Sequence, residues 1–358
     1  MSVGLSDQMT AALRAAPGPR HDLRATPETC FWGYFDRAQP PVLSIRSGDV
    51  VRVEAITHHA GDAPDLLMDD VVRAVWAGIP EADRGPGVHI MTGPIAVEGA
   101  EPGTTLLVRI LEVAPRLPYG SNCAAHWGLL YDAFGKERIT IYGLRGDGTE
   151  VVATPEFAYD FTTRARYDVP GVVTPPDPAA RQPFSRPIDL PVRPHLGVMG
   201  VAPAEPGRIN SVPPGPFGGN VDNWRLGAGA AMAYPVFTPG AGLYVGDPHL
   251  AQGDGELCGT AIEASLDVTL QVSVLDDLAV TAPVLVTASH WFAHGFGDDL
   301  DEAMRMAAEQ ALWLLTARLG LSRDDAYSVA SVAVDFGVTQ VVDTKVGCHA
   351  AIPMAPFV

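Results

Sequence analysis

Lysine is almost missing from this chain, occurring only at Lys136 and Lys345. Neither lies beside a Ser/Gly-rich nucleophile segment, which disfavours lysine-centred catalysis, a Ser-Ser-Lys site included. Positive charge as a whole is scarce: 24 Lys plus Arg face 42 Asp plus Glu, for a net charge of −18. Such a field repels nucleic acid and anionic membrane surfaces, so neither is expected as a partner. Cysteine is limited to Cys30, Cys123, Cys258 and Cys348, without the CxxC spacing of a zinc knuckle or redox pair, and reduced thiols are expected. No stretch reaches the roughly 18 uninterrupted apolar residues of a membrane span. Asp7, Arg14 and Pro17 interrupt the start where a secretory core needs an apolar run, so a cytoplasmic location is expected.

What the chain does contain is apolar surface and turn formers. At 47% hydrophobic and 18% charged it can bury a large core. The 37 glycines and 32 prolines favour short strands and long ordered loops over a helical bundle. The segments VLSIRSGDVVRVEAIT from Val42 and TTLLVRILEVAP from Thr104 alternate apolar and polar residues at period two, as half-buried strands do. The fold class expected is α+β and β-rich, with β-sandwich or barrel-like sheets and a small C-terminal helical element. Residues 1–40 read as an N-terminal arm bearing the aromatic cluster Phe31, Trp32, Tyr34 and Phe35. Prolines crowd residues 165–220, suggesting a division into a first β-rich subdomain, 41–175, and a second, 176–358, that carries most of the active site and the C-terminal helices. In the second, AAMAYPVF, GLYVG, LDVTLQVSVL and APVLVTASHWF are expected to form one sheet system.

Helix signals concentrate after residue 298. Met304, Ala308, Ala311, Leu315 and Leu319 make one apolar stripe, with Asp299 and Glu302 as a start signal and Gly320 at the end. Ser322 and Asp325 open a second short helix through about Ala330.

Residues 218–263 are richest in chemistry. Asp247, His249, Asp254 and Glu256 crowd into a Gly-rich segment expected to be a loop after the apolar strand Leu243 to Val245. Two residues apart, Asp247 and His249 project to one face of an extended chain and together suit Zn²⁺ or a related divalent cation. Upstream, Gly219, Asn220 and Asp222 repeat the spacing: Asp222 offers a further metal oxygen and Asn220 a group to orient an amide. Residues elsewhere weigh less. THHAGDAPD, with His58 and His59, reads as a hydrated loop, and the His290 and His294 spacing is helical but flanked by Gly295 and Gly297.

The blocks HIMTGPIAVEGAEPGTTLLVRILEV, HLGVMGVAP, GGNVDN, VGDPHLAQGDGELCGTAIE and GLSRDDAYSVASVAVDFGVTQVVD together resemble the acetamidase/formamidase family, in the family's order over most of the chain from about residue 40. The resemblance implies hydrolysis of a small carboxamide to carboxylate and ammonia, on a β-rich metal-binding fold assembled as a homo-oligomer, a dimer or higher. Family members commonly carry Gly where this chain has Pro248, which stiffens the segment.

Amide hydrolysis needs a nucleophile, a stabiliser for the oxyanion and an acid for the departing nitrogen. The metal-water reading makes Asp222, Asp247 and His249 the ligands of a divalent metal, zinc first, with calcium as a candidate second ion. Glu256 or Asp254 shuttles the proton. Asn220, Gly219 and His89 meet the substrate, and His89 is also the leading distant ligand. Two other readings stand beside it: a cysteine-dependent amidase using Cys258, and a non-catalytic small-molecule binding or sensor protein on the same fold. Cys348 and His349 are adjacent, and on a strand they point to opposite faces.

Overall fold

The computed structural model describes residues 4–146, 150–161 and 178–357. Strand accounts for 39% and helix for 21%, so the β-rich expectation stands. One sheet has nine strands, running from Arg20–Leu23 through Val50–Ala55, Leu266–Leu275, Thr105–Pro115, Ala231–Pro235, Val284–Val286, His290–Gly297 and Val346–Pro353 to Asp335–Gln340. The second has twelve, with Leu243–Ala251 between His195–Gly200 and both Ile90–Val97 and Ile262–Glu263. Among the described residues neither closes into a barrel.

Period-two alternation builds the layers. In Thr105–Pro115, Leu106, Val108 and Ile110 join the core shared with Leu196, Val198 and Val245 of the other sheet. Leu107 points the other way, into a cluster with Leu312, Leu314 and Leu315 of the helix Leu300–Leu319. Apolar residues on both faces thus make one sheet the middle layer between a second sheet and the helices. The long helix is capped as its sequence predicts: Asp299 accepts from the Glu302 N–H, and Gly320 ends it in the left-handed conformation. Ser322 caps Arg323–Ala333 in the same way.

Several expectations are corrected. Both sheets take strands from both sides of residue 175, so a boundary there does not partition them, because distant segments pair to complete each sheet. The proposed cut itself, with Pro170, Pro175 and Pro176, lies outside the described residues. Leu243–Ala251 belongs to the twelve-stranded sheet while Ala231–Pro235, Leu266–Leu275 and Val284–Val286 belong to the nine-stranded one. Those segments are therefore not one system. The N-terminal segment packs onto the main body: Arg20–Leu23 pairs with Val50–Ala55, and Cys30–Trp32 with Ile90–Val97. Trp32 and Phe35 are wholly buried, Phe35 edge-on to Tyr244 and Phe217. Helices also occur before residue 298, notably Asp7–Arg14 and Asp70–Gly78. His290 and His294 lie on a strand. Among the described residues no helix is long and apolar enough to cross a membrane.

Candidate metal centre

The strand Leu243–Ala251 runs through the segment expected to be a loop. As the two-residue spacing requires, its Asp247 and His249 share a face, with His249 Nε2 3.0 Å from Asp247 Oδ2. The antiparallel neighbour His195–Gly200 pairs on its other edge with Gly218–Asn220, and the turn after that short strand brings Asp222 Oδ1 to 4.0 Å from His249 Nδ1. Between them lies Gly197. A Cβ there would stand 2.5 Å from Asp222 Oδ1, 2.5 Å from His249 Cε1 and 2.6 Å from Asp247 Oδ2, so the absence of a side chain makes the cradle in which these groups meet. From the other sides, His58 Nδ1 approaches Asp247 Oδ1 at 3.5 Å, His89 Nε2 approaches Asp247 Oδ2 at 3.8 Å, and Glu263 Oε2 lies 3.2 Å from His249 Nε2.

The backbone is strained at this spot. Asp222, Asp247 and Glu256 have φ values of 50°, 47° and 44°, the left-handed region that costs a non-glycine residue about 1 kcal/mol or more. Strain of this kind persists where the surroundings over-determine it, as at functional sites.

Charges are equally concentrated. Burial opposes a charge on His249, yet the Glu263 and Asp247 carboxylates hold its pKa well above the imidazole range. Burial would raise Asp247, but His249 and His89 outweigh it and keep that carboxyl well below its usual range. Asp222 is pushed up to about 7 by burial, with Asp247 adding and His249 opposing. Burial and then Asp222 drive both Glu256 and Asp343 well above the carboxylate range. Glu263 also rises, because burial outweighs the attraction of His249. His58 and His89 are pushed down, chiefly by burial. Carboxylates this close cannot all ionise without a cation among them.

The donor set fits a divalent metal. His58 Nδ1, Asp222 Oδ1, Asp247 Oδ1, Glu263 Oε2 and Asp343 Oδ2 are buried without an aligned hydrogen-bond partner among the described residues, and such groups ordinarily ligate or pair. Ligand atoms within 4.8 Å of one another group as His58, His89 and Asp247; as Asp222, Asp247 and His249; as His249, Glu256 and Glu263; and as Asp222, Glu256 and Asp343. Mixed imidazole and carboxylate donors suit zinc, and the all-carboxylate group suits a harder ion. Apart from His249, the groups line a cavity of about 210 Å³, and among the described residues no arginine or lysine lines it.

Of the residues expected from the sequence, Asp222, Asp247, Glu256, His89 and Asn220 line this cavity, with His249 buried behind Asp247. Asn220 Oδ1 is buried without a hydrogen-bond partner among the described residues. His89 is oriented by Ser211 Oγ, 2.9 Å from its Nδ1. Gly219 is not in the lining. It pairs with Met199, and a Cβ on it would meet Phe217, so it shapes the turn rather than meeting substrate. Asp254 is likewise not brought in: the left-handed Gly255 and Glu256 swing the two acids apart, and Asp254 forms paired 2.9 Å contacts with the Arg225 guanidinium at the surface. Cys258 lines a separate apolar surface pocket with Leu257 and accepts from Asn122 Nδ2 at 3.1 Å. Cys348 faces the helix Leu300–Leu319, while the neighbouring His349 contacts Thr339.

The structure adds residues that sequence reasoning set aside. His58 and His59 are buried rather than hydrated, and His59 is tied at 3.0 Å to Asp62, whose carboxylate lifts its pKa against the effect of burial. Glu263 and Asp343 end two of the family-like blocks, so those blocks were the available signal for both.

Comparison with known proteins identifies the family. The Acetamidase/Formamidase family model matches residues 32–208 and 204–358. A formamidase of Methylophilus methylotrophus is 30% identical over 278 residues, covering 66% of this chain and 62% of the relative. An acetamidase of Mycolicibacterium smegmatis is 30% identical over 273 residues, covering 66% and 64%. The chain thus matches less than two thirds of the length of these curated relatives. Among solved structures, an acetamidase from Bacillus halodurans superposes with a TM-score of 0.74 at 25% identity, over 94% of this chain and 98% of that one. A predicted acetamidase/formamidase from Thermoanaerobacter tengcongensis gives 0.73 at 25% identity, over 95% and 97%. With its model matched along nearly the whole chain, this protein belongs to the acetamidase/formamidase family.

Proposed function

We propose that the protein is a metal-dependent amidohydrolase that cleaves the C–N bond of a carboxamide to a carboxylate and ammonia. The observation that carries this reading is the convergence of Asp222, Asp247 and His249 over Gly197, beside a cavity lined by Asp222, Asp247 and Asn220. Asp222, Asp247 and His249 would hold the principal ion, with His58 and His89 completing the donors around Asp247. A divalent cation such as zinc supplies polarisation of the amide carbonyl and easier deprotonation of water near neutral pH. Asn220 Oδ1 accepts a hydrogen bond from the substrate N–H and orients the scissile bond. Glu256, which would be ionised once positive charge is held beside it, takes the proton of the attacking water and passes it to the departing nitrogen, so that the water oxygen bonds to the carbonyl carbon as the C–N bond breaks. The oxygen-only group of Asp222, Glu256 and Asp343 matches calcium as a second ion; in that case Glu256 is a ligand instead of a shuttle.

The family supports amide hydrolysis, and the placement of Cys258 outside the cavity gives no support to a thiol nucleophile. Family resemblance also favours a homo-oligomer, and sedimentation at micromolar concentration tests it. The decisive experiment measures bound metal and ammonia release from formamide, acetamide and larger amides, in the wild type, His249→Ala and Cys258→Ala. His249→Ala should lose both and Cys258→Ala neither. Full activity in His249→Ala or in metal-free protein would overturn the mechanism, and metal binding without hydrolysis of any amide would favour the sensor reading.

A further inference from the structure

Beside its carboxylates and imidazoles the cavity also has an apolar lining. Val88, Trp127, Val212 and Val342 line it, side chains that offer an amide or ion no charge and present mainly hydrocarbon. The volume of about 210 Å³ is roughly seven times the ~30 Å³ that one water occupies in the liquid. Formamide puts only a hydrogen on its carbonyl carbon and acetamide only a methyl, so either would leave most of this wall against water.

Trp127 is held at that wall by a backbone device. Gly259 has φ of 95°, and a Cβ built on it would fall 1.7 Å from Trp127 Cδ1, so the indole lies directly on the glycine backbone and a larger residue would displace it. The Gly259 N–H donates to the Glu256 carbonyl at 2.9 Å. One tight turn therefore carries both a cavity-lining acid and the seat of the aromatic ring. His126 packs edge-on to the same indole, with ring centroids 4.8 Å apart.

We infer that the substrate is a carboxamide with a branched or aromatic apolar acyl group, and that Trp127, seated on Gly259, is the specificity-determining residue that receives it. The inference rests on the amidase reading of the site. Transfer of apolar surface from water to this wall favours longer acyl groups by about fourfold per buried methylene, until the wall is filled.

The test compares kcat/KM for formamide, acetamide, isobutyramide and benzamide in the metal-loaded wild type, Trp127→Ala and Gly259→Ala, with circular dichroism to verify folding. The wild type should prefer isobutyramide or benzamide over acetamide by about tenfold or more, and both variants should lose most of that ratio. If Trp127→Ala does not fold, Val342→Ala trims the same wall and should reduce the ratio by a few-fold. Acetamide matching the larger amides in the wild type, or an unchanged ratio in the folded variants, would overturn the inference. If the wild type hydrolyses none of the amides, the amidase reading fails by itself. Calorimetric binding of acetamide and isobutyramide to the same proteins then decides the role of Trp127: tighter isobutyramide binding that Trp127→Ala abolishes supports it, and equal binding refutes it.

Discussion

Two buried interfaces of this molecule are built on opposite principles. Where the helix Leu300–Leu319 meets the nine-stranded sheet, Ala303, Ala307, Ala311 and Leu315 are fully or almost fully buried, and Ala293 and Ala350 face the same layer from the sheet. Its ends are capped by ordinary side-chain and glycine devices. Around the cavity the buried groups are imidazoles and carboxylates, three acids adopt left-handed backbone, and several polar atoms have no aligned hydrogen-bond partner among the described residues. The first interface gains from every residue it buries. The second loses by burial unless something charged completes it. A fold can carry the second because the first supplies stability elsewhere.

The sharpest way to break the comparison is to fill the cradle. Gly197→Ala should reduce cation affinity by more than a hundredfold and abolish ammonia release, while the folded core survives; metal analysis and circular dichroism read both. Leu315→Ala should do the reverse, costing about 2–5 kcal/mol of stability by leaving a cavity and leaving metal stoichiometry unchanged in the folded protein. Next in size, Glu256→Gln should lower kcat by about 10²-fold or more if Glu256 transfers the proton, with metal content retained. Loss of one bound ion would assign it to the ligands instead.

The pH dependence of metal-free protein sharpens the contrast further. Glu256 and Asp343 lie well above their ordinary pKa and Asp222 at about 7. The folded state therefore holds protons that the unfolded chain has released, and its stability falls as pH rises through the folded pKa values. His58, His89 and His195, pushed down by burial, work the other way but only below about 6.5, where an unfolded histidine binds its proton. From about pH 7 to 9 the acids are joined by His249 and His59, whose raised pKa values act in the same direction. The melting temperature of chelated protein should drop across that range, less so in Asp343→Asn, and saturating metal should restore it. The smallest effect is expected for Asp254→Asn, which removes a partly exposed ion pair with Arg225. Such pairs contribute about 0–1 kcal/mol, so activity should change by a few-fold at most.

Much of this contrast is legible in the sequence, unevenly. The helix Leu300–Leu319 declares itself because its stripe, N-cap and terminal glycine depend on neighbours along the chain. The Asp247 and His249 pair is legible for the same reason, since period two fixes their common face once the segment is extended. Asp254 and Glu256 have the same spacing but point apart, because a left-handed turn intervenes that spacing does not reveal. His58 and His59 are polar and sit in a turn-rich stretch, so only packing against distant strands shows them to be buried. Sheet membership is the least legible, because pairing of Leu266–Leu275 with Thr105–Pro115 and of Leu243–Ala251 with His195–Gly200 reflects contacts the local pattern does not encode.

The interleaving of the two sheets sets a timetable for the nascent chain. His58 lies in an early helical turn and Asp343 just beyond the late strand Asp335–Gln340, with the other donors spread between them. During synthesis from the N-terminus, the first donors leave the ribosome long before their partners exist. Closing such long loops is slow, so a cation held by these donors would arrive as the last component of a nearly complete molecule. Cells short of that ion would accumulate chains whose sheets are paired but whose acids still repel one another, and these are the chains most exposed to proteolysis.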